Sequence, residues 1–169
     1  MRGVAWAVLV VLALLGEPAF AQANTTISAG VHVAGVRIGG VASEAIAAFG
    51  SLYNQADSRS GKYTLYEWPL RPFVVITEKE SGRIVLCVIV LSDLYRTDKG
   101  NITGGSERAA VEAAYGREFT TEEDESSTTL VYDGQGIAFD IGKRGAMSGR
   151  VVQIVVFVPG QWKAITQGL

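Results

Sequence analysis

A short chain that carries the same segment twice is constrained to fold as two like units, and this chain carries one. The segment Ser81-Gly82-Arg83-Ile84-Val85-Leu86-Cys87-Val88-Ile89-Val90-Leu91 aligns without gaps on Ser148-Gly149-Arg150-Val151-Val152-Gln153-Ile154-Val155-Val156-Phe157-Val158. Upstream the offset shortens by one residue. There Thr64-Leu65-Tyr66 meets Leu130-Val131-Tyr132, Phe73 meets Phe139, and Ala48-Phe49-Gly50 meets Ala114-Tyr115-Gly116. It shortens by one more where Gly35, Gly39 and Gly40 meet Gly100, Gly104 and Gly105. Single-residue steps that fall between segments are what loop insertions leave in a duplicated unit.

Both units read alike. A Gly-Gly turn precedes a short Ala-rich helix, Ser43 to Phe49 in the first unit and Ser106 to Tyr115 in the second. Ser43 and Ser106 suit the N-cap, Glu44 and Glu107 the positive end of the helix dipole, and Gly50 and Gly116 a left-handed C-cap. Three strands follow in each unit: Lys62–Trp68, Phe73–Thr77 and Arg83–Leu91, then Thr128–Asp133, Ile137–Ile141 and Arg150–Val158. Asp133-Gly134 and the repeated Ser-Gly before Arg supply turn residues. The expected fold class is therefore α+β, two tandem repeats of one short helix and a three-stranded antiparallel meander, the helices packed on one sheet face. The organisation reads as a signal peptide (1–21), an N-terminal linker (22–30), repeat unit one (31–92), repeat unit two (93–158) and a C-terminal tail (159–169). Val31–Ile38 reads as one further strand ahead of unit one.

The start of the chain supplies an address. Arg2 is followed by an apolar run from Val4 to Leu15, a Gly16-Glu17-Pro18 break and Ala19-Phe20-Ala21, the small-x-small form that a signal peptidase cuts. The run falls short of the about 20 residues that span a bilayer, so the expectation is a soluble periplasmic or secreted protein without a permanent membrane anchor. The formal net charge is −2 and charged residues make up 19% of the chain, a balance that disfavours nucleic-acid binding. A single cysteine, Cys87, excludes an intramolecular disulfide framework and sits in an apolar strand as a buried hydrophobe.

The Gly-rich turn, the short helix ending Ala-Phe-Gly or Ala-Tyr-Gly and the meander, duplicated in an exported chain, resemble the envelope modules of the beta-lactamase-inhibitor-protein type and the related BamE (SmpA/OmlA) type. The resemblance covers Val31 to Val158 and implies a tandem architecture and a binding role. It carries no functional residue over. It also has departures, since those families often hold disulfides or a lipidated N-terminal cysteine and this chain has neither.

Catalytic chemistry finds little support. His32 is the only histidine and stands in an N-terminal strand, and one His with one Cys falls short of a zinc site. Glu122-Glu123-Asp124-Glu125 lacks the alternation and central glycine of a calcium loop and reads as a solvated loop. Gly100 to Ser106 lacks the Lys-Ser/Thr ending of a phosphate cradle and reads as a turn with a cap. Glu67 and Asp133, related by the repeat, are read as strand-edge charges. No cofactor and no metal are expected.

Alternation along strands lets one copy report on the other. Gln153 answers to Leu86, Asp140 to Val74 and Asp133 to Glu67, which marks the open face of each sheet. On the helix-facing side, unit one places Thr64, Tyr66, Phe73, Val75, Val85, Cys87, Ile89 and Leu91. Its open face is then Tyr63, Leu65, Val74, Ile76, Leu86, Val88 and Val90, interrupted by Glu67, and far more apolar than that of unit two. Something must cover so broad an apolar face. The N-terminal strand, the sister unit or the tail around Trp162 would do so internally; otherwise the seven residues are partner-binding candidates for an envelope or secreted protein or for a second copy. The expected function is a non-catalytic exported binding module. The alternatives are a carrier of a small apolar ligand on the same face and a small hydrolase using carboxylates.

Overall fold

The computed structural model describes residues 24–169. The signal-peptide segment lies outside the described residues. The chain orders its elements as β1 (Thr26–Ser28), β2 (His32–Val33), β3 (Val36–Arg37), α1 (Ala42–Phe49), β4 (Asn54–Asp57), β5 (Tyr63–Trp68), β6 (Phe73–Glu78), β7 (Ile84–Val90), β8 (Arg96–Thr97), α2 (Arg108–Tyr115), β9 (Thr120–Glu123), β10 (Ser127–Tyr132), β11 (Ile137–Gly142), β12 (Val151–Phe157) and α3 (Trp162–Thr166). Two sheets result. A small one runs β3-β2-β1-β8, with β1 and β8 parallel, and a large antiparallel one runs β4-β5-β6-β7-β12-β11-β10-β9.

This architecture overturns the α+β reading. The described chain is mainly β, with 12 strands in two sheets and three small helices, and not two helix-plus-three-strand repeats. The large sheet holds two strands that the sequence reading lacks, β4 and β9, which put a fourth strand on each of its halves, and the small sheet adds β1 and β8. All eight residues of β4 and β9 are exposed, so Asn54-Gln55-Ala56-Asp57 and Thr120-Thr121-Glu122-Glu123 show none of the apolar alternation by which a strand is recognised. Residues of the expected linker form β1, and the single strand read over Val31–Ile38 is a hairpin. Ala34 and Gly35, with φ of 51° and 86°, make the two-residue turn between β2 and β3.

The two halves of the large sheet meet at β7 and β12, where Val88 pairs with Val155 and Ile89 with Ile154. One face of this sheet carries the main core. Phe73, Val75, Cys87, Ile89, Leu130, Tyr132, Phe139, Ile154 and Val156 pack there with Phe49 of α1, Tyr115 of α2 and Ile27 and Val33 of the small sheet. Phe49 stacks on Phe73 at 4.1 Å between ring centroids.

The helices are fixed by their ends. Neither Ser43 nor Ser106 caps: the N-cap positions are Val41 and Glu107, without side-chain hydrogen bonds. Ser106 Oγ instead accepts the Thr103 amide at 3.0 Å. Gly50 and Gly116 end the helices at φ 99° and 92° with extended ψ, a region open essentially to glycine alone. Their carbonyls then accept Trp68 Nε1 at 2.7 Å and the Tyr132 hydroxyl at 2.9 Å, which ties each helix end to its sheet.

Two bulges re-aim side chains. The ladder slips between Ile76 and Thr77 and again between Asp140 and Ile141. The first slip inserts Val85 into β7 and turns it to the face opposite the helices, beside Leu86, and not onto the helix-facing core where alternation assigned it. Leu91, also assigned to that core, lies past the end of β7 at φ 38° and is 58% exposed.

Candidate functional site

Cross-strand pairs on the face opposite the helices line up in rows. One row runs Ala56, Leu65, Ile76, Leu86, Phe157; the next runs Asn54, Glu67, Val74, Val88, Val155, Ala138, Val131, Thr120. A third runs Val90, Gln153, Asp140, Thr129, Glu122.

The tail lies across this face. After β12 the chain turns back, the Trp162 amide donates to Asp133 Oδ1 at 3.1 Å, and Trp162 Nε1 donates to Glu122 Oε1 at 2.8 Å. The indole packs on Phe157 at 5.0 Å. Ile165 of α3, 1% exposed, joins Tyr63, Ile76, Val85, Leu86, Val131, Ala138, Val155 and Phe157 in a second core. The far end is pinned by the Ser60 hydroxyl on the Gly168 carbonyl and by the Arg59 amide on Leu169 at 3.2 Å.

The seven candidates are thereby divided. Tyr63, Ile76 and Leu86 are buried under α3, at 9%, 4% and 3% exposure. Leu65, Val74 and Val88 are half-buried at the margin of the second core, and Val90 is 41% exposed. Leu65, Val74, Ala56 and Glu67 line a shallow depression of about 180 Å³ together with Asn54 and Gln55.

Beside this strip stands Asp140, which Thr129 Oγ1 contacts at 2.6 Å. Burial, with Asp124 and Glu122 nearby, raises its carboxyl above the ordinary value, and the Thr129 hydrogen bond only partly offsets this. No cation pairs with it among the described residues. The sequence marked Asp140 as lying on the open face, but nothing in it shows that its carboxylate stays unpaired.

The other acidic and titratable groups serve the fold. Glu122 and Glu123 belong to β9, not to a solvated loop, and Glu123 accepts Lys143 Nζ at 3.1 Å. Asp124 accepts the amides and hydroxyls of Ser126 and Ser127, which hold its carboxyl well below the usual range. Glu67 lies in β5, whereas Asp133 is not a strand residue but opens the 3-10 turn between β10 and β11 in the other half. In the Gly100–Ser106 loop, Thr97 Oγ1 accepts the Ile102 amide at 2.9 Å and donates to the Lys99 carbonyl at 2.7 Å, closing the turn over buried Ile102. Cys87 is wholly buried and burial pushes its thiol up, away from the reactive thiolate. His32 Nδ1 is buried without a hydrogen-bond partner.

No family model matches the chain, and no curated protein or solved structure matches it significantly.

Proposed function

We propose that this protein is a non-catalytic, exported binding module that engages another envelope or secreted protein through the part of the large sheet that α3 leaves open. The site is Leu65, Val74, Val88 and Val90, with Asp140 and Gln153 at its border. One observation carries the reading: among the described residues the exposed large apolar side chains, Leu169 apart, all precede Tyr95. Val31, Val41, Leu52, Leu70, Val90, Leu91 and Leu94 are exposed, whereas no large apolar side chain between Tyr95 and Gly168 is. Leu52 precedes β4, Leu70 lies in the β5–β6 turn and Leu91 follows β7, so all three stand at one end of the same four strands. The second half carries none of this, and surface leucines gathered in one place mark an interaction site.

The chemistry of the border suits a partner with an apolar segment and a cationic group. Asp140 stands two strands from Val90, about 10 Å away, with Gln153 between them. A lysine or arginine from the partner would complete the carboxylate there and strengthen it as water leaves. The proposal is tested by affinity capture from the native host with the wild-type chain and with Val88→Lys. The expected result is a specific captured protein that Val88→Lys loses while the variant still folds with a cooperative melt. Equal capture by both would contradict the reading.

A further inference from the structure

Strand β4 ends the large sheet, and among the described residues nothing pairs with its outer backbone edge. β5 is its one neighbour in the sheet among the described residues, and all four residues of β4 are exposed. The Ser58 amide donates to the Tyr63 carbonyl at 2.9 Å. In this register Ser58, Ala56 and Asn54 turn their amides inward to β5, so Gln55 and Asp57 point both N–H and C=O outward. Natural sheets guard such edges with short strands, unpaired charges, proline, a bulge or a covering segment; β4 is short, but it has no proline, bulge or cover among the described residues, and its single charge, Asp57, is already paired with Lys79. The opposite edge differs: β9 holds Glu122 and Glu123, whose carboxylates would confront their own copies.

We propose that β4 is a homodimerisation edge that pairs antiparallel with β4 of a second copy, about a two-fold axis through Ala56. In that register Gln55 faces Asp57 of the second copy, and the two exchange both backbone hydrogen bonds; symmetry repeats the exchange. The side chains match. The one charge on the strand, Asp57, is already neutralised by Lys79 Nζ at 2.6 Å and meets a neutral amide across the axis. Ala56 meets Ala56, so no bulk or charge collides at the centre. The apolar row Phe157-Leu86-Ile76-Leu65-Ala56 then continues into its own image. An axis perpendicular to the sheet keeps both open faces on one side, which sets the two open strips side by side. The inference rests on the β4 edge alone and holds whether or not the strip binds another protein.

Sedimentation equilibrium of the purified chain tests it. The expected result is a dimer whose fraction rises with concentration. Ala56→Lys, which places two ammonium groups face to face, should weaken it about tenfold or more without changing the melting temperature. Gln55→Pro, which removes an outward donor and leaves the β4–β5 ladder whole, should do the same. Mixing Ala56→Lys with Ala56→Glu should restore dimers as mixed pairs. Val90→Lys, on the strip, should dimerise as the wild type does. A wild-type chain that stays monomeric throughout, or a dimer that Ala56→Lys leaves intact, would overturn the proposal.

Discussion

Val88 faces Val155 across the junction of β7 and β12, and the two hold equivalent places in the duplicated segments, so a local two-fold passes between them. Their surroundings are not equivalent. Val155 is 3% exposed within the second core, whereas Val88 remains half-buried at its margin. The helix that follows β12 has no counterpart in the first half, and it breaks the symmetry by lying across the sheet. The result is one closed part of the open face and one part left open, from a pair of residues that the sequence makes identical.

Closure by α3 sets where polar substitutions are felt. Leu86→Gln buries an amide beneath α3 and should cost folding about 2–4 kcal/mol, from lost apolar burial plus an unpaired polar group. Val90→Gln, at an exposed site, should cost under about 0.5 kcal/mol. Urea unfolding of the two variants checks this, and similar losses would contradict the division of the face.

Ile165 is the anchor of the covering helix. Ile165→Ala should destabilise the chain by about 2–4 kcal/mol and raise binding of a hydrophobic dye at neutral pH, because the second core loses its lid. A destabilisation below about 1 kcal/mol, read by chemical denaturation, would mean that α3 rests on the sheet without closing it.

Backbone conformation and not space makes Gly50 necessary. A methyl group there would meet nothing within 4 Å, yet φ is 99° with extended ψ. Gly50→Ala should therefore cost about 1–3 kcal/mol through strain alone. Gly134 is equally unobstructed and has no positive φ, so Gly134→Ala should stay within about 0.5 kcal/mol of wild type. Thermal melts of both proteins separate strain from crowding.

Asp140 gives stability a pH dependence of defined sign. Its carboxyl is raised in the folded chain, so the unfolded chain ionises first as pH rises from the ordinary value of 3.8. Stability attributable to this group is full below that pH and is lost as pH climbs through the raised value. Asp140→Asn keeps an oxygen for Thr129 and removes the charge. It should be more stable than wild type at pH 7 and indistinguishable from it near pH 3, measured by urea unfolding at both. A variant less stable than wild type at pH 7 would show that the charge is compensated in the fold.

Turns and strand interiors were legible because they carry local chemistry. The repeated Ser-Gly-Arg places Gly82 and Gly149 at φ 66° and 73°, and the following arginines donate to the Gly39 and Gly105 carbonyls at 2.8 and 2.9 Å. What the sequence hid was of two kinds. The strands β4 and β9 bury nothing, so their pairing is a consequence of the neighbouring strand's free edge and leaves no pattern; without them the chain read as α+β. The bulge at Val85 adds one residue to β7, and a period of two gives no sign of it. The site was half legible for the same reason: alternation assigned all seven candidates to one face, but only the tertiary path of α3 decides that Tyr63, Ile76 and Leu86 are covered while Val90 is not.

The central claim is that the open strip of the first half contacts another protein. A photo-crosslinking amino acid placed at Val88, and separately at Thr129 on the second half of the same face, reads this directly in the native host. The account predicts an adduct with a second, different polypeptide from position 88 and none from position 129. Adducts from 129 alone, or none from 88 in a chain that melts like the wild type, would contradict it.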